Sequence, residues 1–245
     1  MATLVGQIKL ETKLFLRGRQ NLFFTLAFPV IMILLFGSVF SGQSWSGIPA
    51  INYLLPGIIV MALMIACMNN NAVKIVNERE KGVYRRLSLT PLKRQTLLIG
   101  DIFVRYLIVL ASTMLLIAIG VSVFKANVGG NYFLFWFVLT IGALTFVALG
   151  FVLTALVKNT NSMMPLGMAI LFPFMFLGGC FWPLDQMPAF LHPVCEALPA
   201  LHLNTALRMV AVHGAGFSEI WPEFPVLLGW LVGCSILAVK LFKWE

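Results

Sequence analysis

The stretch Asn21–Phe40, NLFFTLAFPVIMILLFGSVF, contains 20 residues and no charged side chain. A helix of about 20 apolar residues is long enough to cross the hydrocarbon core of a bilayer, so this stretch predicts a transmembrane helix. Five further stretches have the same character and are predicted to span as well: Tyr53–Val73, Ile99–Phe124, Asn131–Val157, Ser162–Trp182 and Phe224–Val239.

The composition points to the same class of protein. Hydrophobic residues make up 60% of the 245 residues, charged residues only 11%, and the mean hydropathy is +0.94. Soluble domains carry about a quarter charged residues. We therefore expect an all-α membrane protein with about six transmembrane helices, forming a single domain over residues 1–245. No room is expected for a soluble catalytic domain, and residues 1–20 lack the apolar core of a cleavable signal peptide.

The formal net charge of +8 is explained by membrane topology. With the N-terminus inside, 15 of the 17 Lys and Arg residues fall on the inner side, and only Lys125 and Arg208 fall outside. Positive charge accumulates in cytoplasmic loops. We expect a multi-pass protein of the inner (plasma) membrane with both termini in the cytoplasm, and no nucleic acid among its partners.

Residues 1–20 predict an amphipathic helix at the inner membrane surface. At 100° per residue three basic side chains form one stripe: Lys9, Lys13 and Arg17. Apolar side chains cluster on the other side, with one acidic exception, Glu11: Leu4, Val5, Ile8 and Phe15. Such a helix lies in the headgroup layer with its basic face towards lipid phosphates or a partner. A basic tail that only directs topology is the alternative.

Charged side chains are nearly absent from the predicted spans. Asp101 and Arg105 stand four residues apart, which favours a structural pair at the inner interface over a proton relay. Asparagines at positions 69–71 either cap the second span or line a polar vestibule. HExxH, GxSxG and P-loop patterns do not occur, and we expect no catalytic residue in the chain.

The stretch between the last two spans collects the side chains that an enzyme or metal site would need: His192, Cys195, Glu196 and His202. Their spacing lacks the paired ligands of a zinc site, so no metal is expected. A disulfide between Cys180 and Cys195 is possible on an oxidising exterior, although sequence does not determine connectivity.

The loop Lys74–Arg94, KIVNEREKGVYRRLSLTPLKR, is longer and more charged than a simple reversal needs. The charges at 78–81 predict that the second span continues as a helix, and Gly82 allows it to break. Thr90-Pro91 is a helix-start signal. A short amphipathic helix that docks onto a cytosolic protein is one interpretation, and a solvated charged loop is the other.

Two blocks of sequence resemble one family. Glu78-Arg79-Glu80-x-Gly82, followed by Leu87-x-x-Thr90-Pro91 and Gly100, resembles the coupling-helix region of type-2 ABC transporter permeases. Gly178-Gly179-x-Phe181-x-Pro183-Leu184-x-x-Met187-Pro188, then Leu198-Pro199 and Ala206-Leu207-Arg208, resembles the end of that family's fifth span and its external re-entrant segment. The chain is most similar to the drug, lipo-oligosaccharide and polysaccharide export permeases.

The resemblance implies a permease subunit of an ATP-driven exporter. Its partners would be two copies of a cytosolic ABC ATPase, membrane lipids, and a second copy of itself or a related permease. ATP and Mg would bind the ATPase, with no cofactor in this chain. The cargo would be an amphipathic, lipid-linked or polysaccharide substrate moved out of the cytoplasm or inner leaflet.

The resemblance also assigns segments and site residues. Residues 1–20 would be the interface helix, 74–94 the coupling loop and 183–223 the re-entrant segment. The residues expected to couple to the ATPase are Glu78, Arg79, Glu80, Gly82, Tyr84, Arg85, Arg86, Leu87, Thr90 and Pro91. Those expected at the external gate are Gly179, Phe181, Pro183, Met187 and Pro188, and those expected on the substrate path are Asn69, Phe172 and Phe176.

Two other functions remain open from the residues alone. An ion-coupled secondary transporter would need intramembrane acids or repeated halves. A membrane-embedded lipid-modifying enzyme would need clustered polar groups near an interface, for which His192, Cys195, Glu196 and His202 are the only candidates.

Overall fold

The computed structural model describes residues 2–45, 47–83, 86 and 94–241, and this part of the chain is a helical bundle with one short hairpin. The chain begins with α1 (Ala2–Arg17) and α2 (Arg19–Leu22), and continues through a π-helical turn (Phe23–Ala27) into α3 (Phe28–Val39). Strands β1 (Ser44–Trp45) and β2 (Ile48–Pro49) pair antiparallel, with Trp45 opposite Ile48.

The centre of the bundle is one continuous helix of 31 residues, Ala50–Glu80. It consists of α4 (Ala50–Leu63), a second π-helical turn (Met64–Asn69) and α5 (Asn70–Glu80). Almost every side chain from Asn52 to Ala72 is buried. A helix that is apolar on all sides is expected in the middle of a bundle, and the other helices surround this one.

Three long helices follow: α6 (Arg94–Phe124), α7 (Tyr132–Leu156) and α8 (Thr160–Leu177). Asparagine side chains begin the last two, because Asn131 Oδ1 accepts from the Leu134 amide and Asn159 Oδ1 accepts from the Ser162 amide. Asparagine at the N-cap satisfies one of the amides that the first turn leaves free.

The rest of the described chain alternates short turns with helices. Two 3₁₀ turns (Leu184–Gln186 and Ala189–Leu191) lead to α9 (His192–Glu196) and α10 (Pro199–His213). Then come α11 (Phe217–Ile220), a 3₁₀ turn (Trp221–Glu223) and α12 (Phe224–Leu241), which packs along α7.

Within the described residues, five helices are long and apolar enough to cross a membrane: Ala50–Glu80, Gly100–Phe124, Tyr132–Leu156, Thr160–Leu177 and Phe217–Leu241. The segment Phe23–Val39 is a shorter apolar helix. Large apolar side chains point outward from the bundle, such as Phe133 and Val239, which are 82% and 84% exposed. The predicted all-α membrane fold is confirmed.

The second span continues as a helix to Glu80, as the charges at 78–81 predicted. Two other predicted span boundaries were wrong. The fifth ends at Leu177, since Gly179 adopts a positive φ of 65° that ends the helix. The last begins at Phe217, where a 3₁₀ turn joins α11 to α12.

The bundle has two chemically different ends. We call the end that carries Lys74, Glu80 and the turn between α7 and α8 the basic end. The opposite end, which carries residues 178–223, is called the loop end. The central helix starts at the loop end and finishes at the basic end.

Candidate functional site

A cluster of charged side chains lies at the basic end, and we call it the Lys74 cluster. Lys74 Nζ lies 2.5 Å from Glu11 Oε2, 2.5 Å from Asp101 Oδ1 and 3.6 Å from Glu78 Oε1. Arg105 reaches the same Asp101 oxygen at 3.8 Å. The five side chains are between 7% and 23% exposed, so their charges are largely withdrawn from water.

The Lys74 cluster connects three helices that are distant in sequence. Glu11 belongs to α1, Lys74 to α5 and Asp101 to α6. This explains the acidic exception in the amphipathic pattern of α1, because Glu11 is turned into the bundle. The predicted pair of Asp101 and Arg105 is present, and Lys74 is a second and nearer partner of the same carboxylate, as buried charge is retained only when paired.

The basic stripe on α1 faces away from the bundle. The side chains of Lys9, Lys13 and Arg17 are all exposed, whereas Phe15 on the other side is half-buried. The helix therefore presents positive charge outward while its acidic residue holds it to α5 and α6.

The last two residues of α5 attach to the turn between α7 and α8. Arg79 Nη2 donates to the carbonyl oxygen of Thr154 at 3.0 Å and to that of Val157. Glu80 Oε2 accepts from the Thr160 amide at 3.0 Å and from its hydroxyl at 2.8 Å. We call this arrangement the helix-end clamp.

The helix-end clamp matches the polarity of both helices. An arginine meets free carbonyl groups where α7 ends, and a carboxylate meets free amides where α8 begins. Positive charge at a helix C-terminus and negative charge at an N-terminus are each favourable. One end of α5 is thereby fixed to two other long helices at once.

Beyond the helix-end clamp the central helix stops at Gly82, whose φ is +64°. The predicted continuation past Glu78 and break at Gly82 are confirmed. Arg86 is exposed and its Nη2 donates to the Lys81 carbonyl at 3.0 Å. The remaining predicted coupling residues lie outside the described residues: Tyr84, Arg85, Leu87, Thr90 and Pro91.

An open cleft of about 260 Å³ lies where the two π-helical turns face α8. It is lined by Asn21, Phe24, Phe28, Ile65, Asn69, Asn70, Val73, Met164, Met168, Leu171, Phe172 and Met175. The wall is mainly aromatic and thioether, with three amide groups. π-helical turns inside long helices occur frequently at functional sites.

The asparagines of the second span do not cap it. The helix continues past them to Glu80, so the capping interpretation was wrong. Asn70 Nδ2 donates to Thr25 Oγ1 at 2.8 Å and joins the two π-helical segments. Asn69 Oδ1 and both side-chain polar atoms of Asn71 are buried without a partner among the described residues.

Two of the three predicted path residues meet in this cleft. Asn69 and Phe172 both line it, whereas Phe176 does not. Phe176 stacks on Trp182 instead, with ring centroids 6.1 Å apart and an angle of 18°. It also lies 5.7 Å from Phe181 and belongs to the loop end.

At the loop end the carbonyl oxygen of Gly179 receives three donors. Tyr53 Oη lies 3.3 Å away and Arg208 Nη2 lies 3.2 Å away, and Asn204 Nδ2 also donates to it. Gly57 on α4 approaches this turn so closely that an added Cβ would overlap the Cys180 carbonyl oxygen. We call residues 178–180 the Gly179 turn.

The other predicted gate residues lie beside the Gly179 turn. Phe181 is buried against Phe36 at a centroid distance of 5.2 Å. Pro183 and Pro188 each precede a 3₁₀ turn. Met187 lies between these turns, and its carbonyl oxygen is 3.2 Å from His192 Nε2.

All four cysteines are free thiols, so the structure contains no bond between Cys180 and Cys195. Cys195 Sγ contacts Met187 Sδ at 3.8 Å instead. Within residues 2–45, 47–83, 86 and 94–241, no three His, Cys, Asp or Glu side chains lie close enough to share a metal ion.

His202 ties the loop-end helices together. Its Nδ1 lies 2.5 Å from Glu223 Oε2 and its Nε2 lies 2.7 Å from the Glu196 carbonyl oxygen. A carbonyl only accepts, so Nε2 carries a proton, and Nδ1 meets the carboxylate best when it is protonated too. The hydrogen bond to Glu223 raises the pKa of His202 above its ordinary value.

Several residues of these sites were not predicted. The sequence singled out neither Lys74 nor Thr160, and it gave Tyr53 and Asn204 no role. Glu11 was the one visible signal, because an acid on the apolar side of an amphipathic helix needs a buried partner.

Comparison with known proteins places this architecture in a family. The chain is 25% identical over 191 residues to ABC transporter G family member 20 of Dictyostelium discoideum, covering 77% of this chain and 26% of that protein. It is 22% identical over 191 residues to the probable multidrug ABC transporter permease YbhR of Escherichia coli, covering 78% of this chain and 52% of that protein. It is 25% identical over 223 residues to the daunorubicin resistance ABC transporter permease protein DrrB1 of Streptomyces coeruleorubidus, covering 88% of this chain and 77% of that protein.

The chain thus spans about a quarter and about half of the lengths of the first two relatives. A family model described as ABC-2 type transporter matches residues 7–212, from α1 through the Lys74 cluster, the helix-end clamp and the Gly179 turn to α10. The chain is a membrane protein of the ABC-2 type transporter family.

Proposed function

We propose that this chain is the transmembrane permease subunit of an ATP-driven exporter. A separate cytosolic ATPase would bind ATP and Mg and supply the energy. Support comes from the family and from the relatives, of which YbhR and DrrB1 are named as permeases.

The observation that carries the proposal is the helix-end clamp. An ATPase that moves the segment after Glu80 would displace the end of α5. Arg79 and Glu80 would pass that displacement to α7 and α8, and Lys74 would pass it to α1 and α6. Coupling requires an element with two positions that a ligand biases, and α5 is the candidate element.

The proposal sets the orientation of the bundle. The basic end would lie in the cytoplasm of the inner membrane, because 15 of the 17 basic residues then stay inside. The loop end would lie outside, and the exposed stripe of α1 would meet the inner headgroups. Two ATPase copies and a second permease, identical or related, would complete the transporter.

The cleft is the proposed entry for cargo. None of the described side chains that line it carries a charge, and its wall consists of phenyl, thioether and aliphatic groups with three amides. An apolar wall with few polar groups is typical of sites for amphipathic molecules. Among amphipathic, lipid-linked and polysaccharide cargo, the lining therefore favours the first two.

The test separates ATP hydrolysis from transport. The permease and its ATPase are reconstituted together, and ATP hydrolysis is measured beside uptake of daunorubicin, the fluorescent drug in the name of DrrB1. Glu80→Gln should keep ATP hydrolysis within about twofold and lower transport about tenfold, because it weakens one link to α8. Glu196→Gln, an exposed glutamate at the loop end, is the matched control and should transport normally.

Equal transport by Glu80→Gln and Glu196→Gln would contradict the coupling role. Transport that follows an ion gradient without ATP would favour a secondary transporter instead. For the cleft, Met168→Trp should reduce drug transport while ATP hydrolysis persists, because the larger ring fills the space.

A further inference from the structure

Arg208 is a half-buried cation that lacks a carboxylate beside it. Its guanidinium lies 3.4 Å above the ring of Tyr53, and its Nη2 donates to the Gly179 carbonyl. In the described part of the chain no Asp or Glu oxygen lies within 4.0 Å of it, and its buried Nε has no hydrogen-bond partner.

This arrangement leaves the buried Nε of Arg208 without a partner among the described residues. A charge withdrawn from water is stabilised fully only by an opposite charge and a complete set of hydrogen bonds. The ring of Tyr53 and the carbonyl of Gly179 supply only part of this stabilisation.

Three side chains share one acceptor. Tyr53, Asn204 and Arg208 all donate to the Gly179 oxygen, and Asn204 Nδ2 also donates to the Gly178 oxygen at 3.2 Å. Asn204 Oδ1 is also buried without a partner among the described residues. Opening the Gly179 turn to water would satisfy both the Arg208 Nε and the Asn204 Oδ1.

The same turn is where α4 meets the loop end most closely. Gly57 has no side chain, and the Cys180 backbone occupies the space that a Cβ would take. Separation of the Gly179 turn from α4 therefore breaks its contact with Tyr53. Separation from α10 breaks its contacts with Asn204 and Arg208.

We propose that Arg208, Tyr53 and the Gly179 turn form a latch, in which the unpaired cation of Arg208 drives opening and Tyr53 holds the latch closed. This rests on the proposed function, in which the loop end lies outside, and on the expectation that Gly179 belongs to an external gate. Release exposes the guanidinium of Arg208 to water, so a small displacement of α4 is sufficient to release the Gly179 turn.

The test uses Cys180, which is fully buried in the seated turn. Cys67, Cys195 and Cys234 are replaced by alanine, and the purified permease in nanodiscs is treated with a polar maleimide. The labelling rate of Cys180 then reports opening of the latch at rest, without the ATPase.

Arg208→Met should label about tenfold more slowly than the parent, because an apolar side chain in place of a half-buried cation with an unpartnered Nε stabilises the seated turn. Tyr53→Phe should label about fivefold faster, because it loses only the hydroxyl donor. The matched control is Arg19→Met, an exposed arginine at the basic end, which should not change the rate.

Arg208→Gln, neutral and still an amide donor, provides a second charge-free variant and should also label slowly. Labelling of both neutral variants at or above the parental rate would overturn the latch, and so would failure of both to fold. Acceleration of labelling by ATP in the assembled transporter tests the proposed function separately, because the resting rates do not depend on it.

Discussion

Glu80 and Thr160 are joined by two hydrogen bonds to one carboxylate oxygen, 3.0 Å from the Thr160 amide and 2.8 Å from its hydroxyl. Eighty positions of sequence separate these residues, and the contact joins the last residue of α5 to the first residue of α8. Together with the hydrogen bonds from Arg79 to the end of α7, it fixes the end of the central helix to two other long helices.

Arg79→Met should lower stability by about 2 kcal/mol, because the Thr154 and Val157 carbonyls lose a charged donor. Thermal unfolding in detergent measures the loss, and hydrogen exchange should rise in the last turn of α7. The control is Lys158→Met, an exposed basic residue in the same turn. If Lys158→Met destabilises as much as Arg79→Met, the contact to α7 has no special role.

Lys74→Met should destabilise the bundle by on the order of 3 kcal/mol, because it leaves Glu11 and Asp101 without their nearest cation. Adding Asp101→Asn to the same chain should recover part of the lost stability, since it removes one of the two carboxylates that contact Lys74. The check is a double-mutant comparison of thermal unfolding. Additive losses from the two changes would show that Lys74 and Asp101 are not coupled.

Gly57→Ala should prevent correct seating of the Gly179 turn, because the new methyl group would meet the Cys180 backbone and neither side is a flexible side chain. Gly229→Ala on α12 is the matched control. Its Cβ would meet no atom within 4 Å, and alanine there should stabilise by about 0.5–1 kcal/mol. The yield of monodisperse protein and the melting temperature are measured for both variants. A normal Gly57→Ala variant would be incompatible with the close approach of α4.

Stability should depend on pH through His202. Its pKa is raised by the hydrogen bond to Glu223, above the ordinary value of about 6.5. The charged pair therefore contributes fully below about pH 6.5 and is lost as the pH rises through the folded-state pKa. His202→Gln should lower the melting temperature more at pH 5.5 than at pH 9. His213→Gln at the end of the same helix is the control, and a pH-independent effect of His202→Gln would contradict the pair.

Hydropathy was sufficient to predict the fold class and the five long apolar helices, because a long uncharged run such as residues 131–157 has one stable form in a bilayer. The predicted span Asn21–Phe40 appears as the shorter apolar helix Phe23–Val39. The break at Gly82 was also visible, because a glycine that follows a charged helical run commonly ends the helix. Boundaries such as Leu177 were missed because apolar residues continue past the turn made by Gly178 and Gly179.

Most of the side-chain clusters could not be predicted from the sequence. The acids that surround Lys74 come from positions 11, 78 and 101, and only the packing of three helices brings them together. Arg208 was visible as a motif residue in the sequence. That no acidic side chain lies beside it could be learned only from the three-dimensional structure. The cleft likewise exists because two π-helical turns face each other, and no local pattern predicted either turn.

The most direct test of the permease assignment is purification of the tagged protein from its native membrane in mild detergent, with identification of what co-elutes. The account predicts a separate P-loop ATPase at a stoichiometric amount, and weaker retention of it in an Arg86→Glu variant that inverts an exposed charge beside the helix-end clamp. A folded, monodisperse protein that elutes without any ATPase would contradict the account.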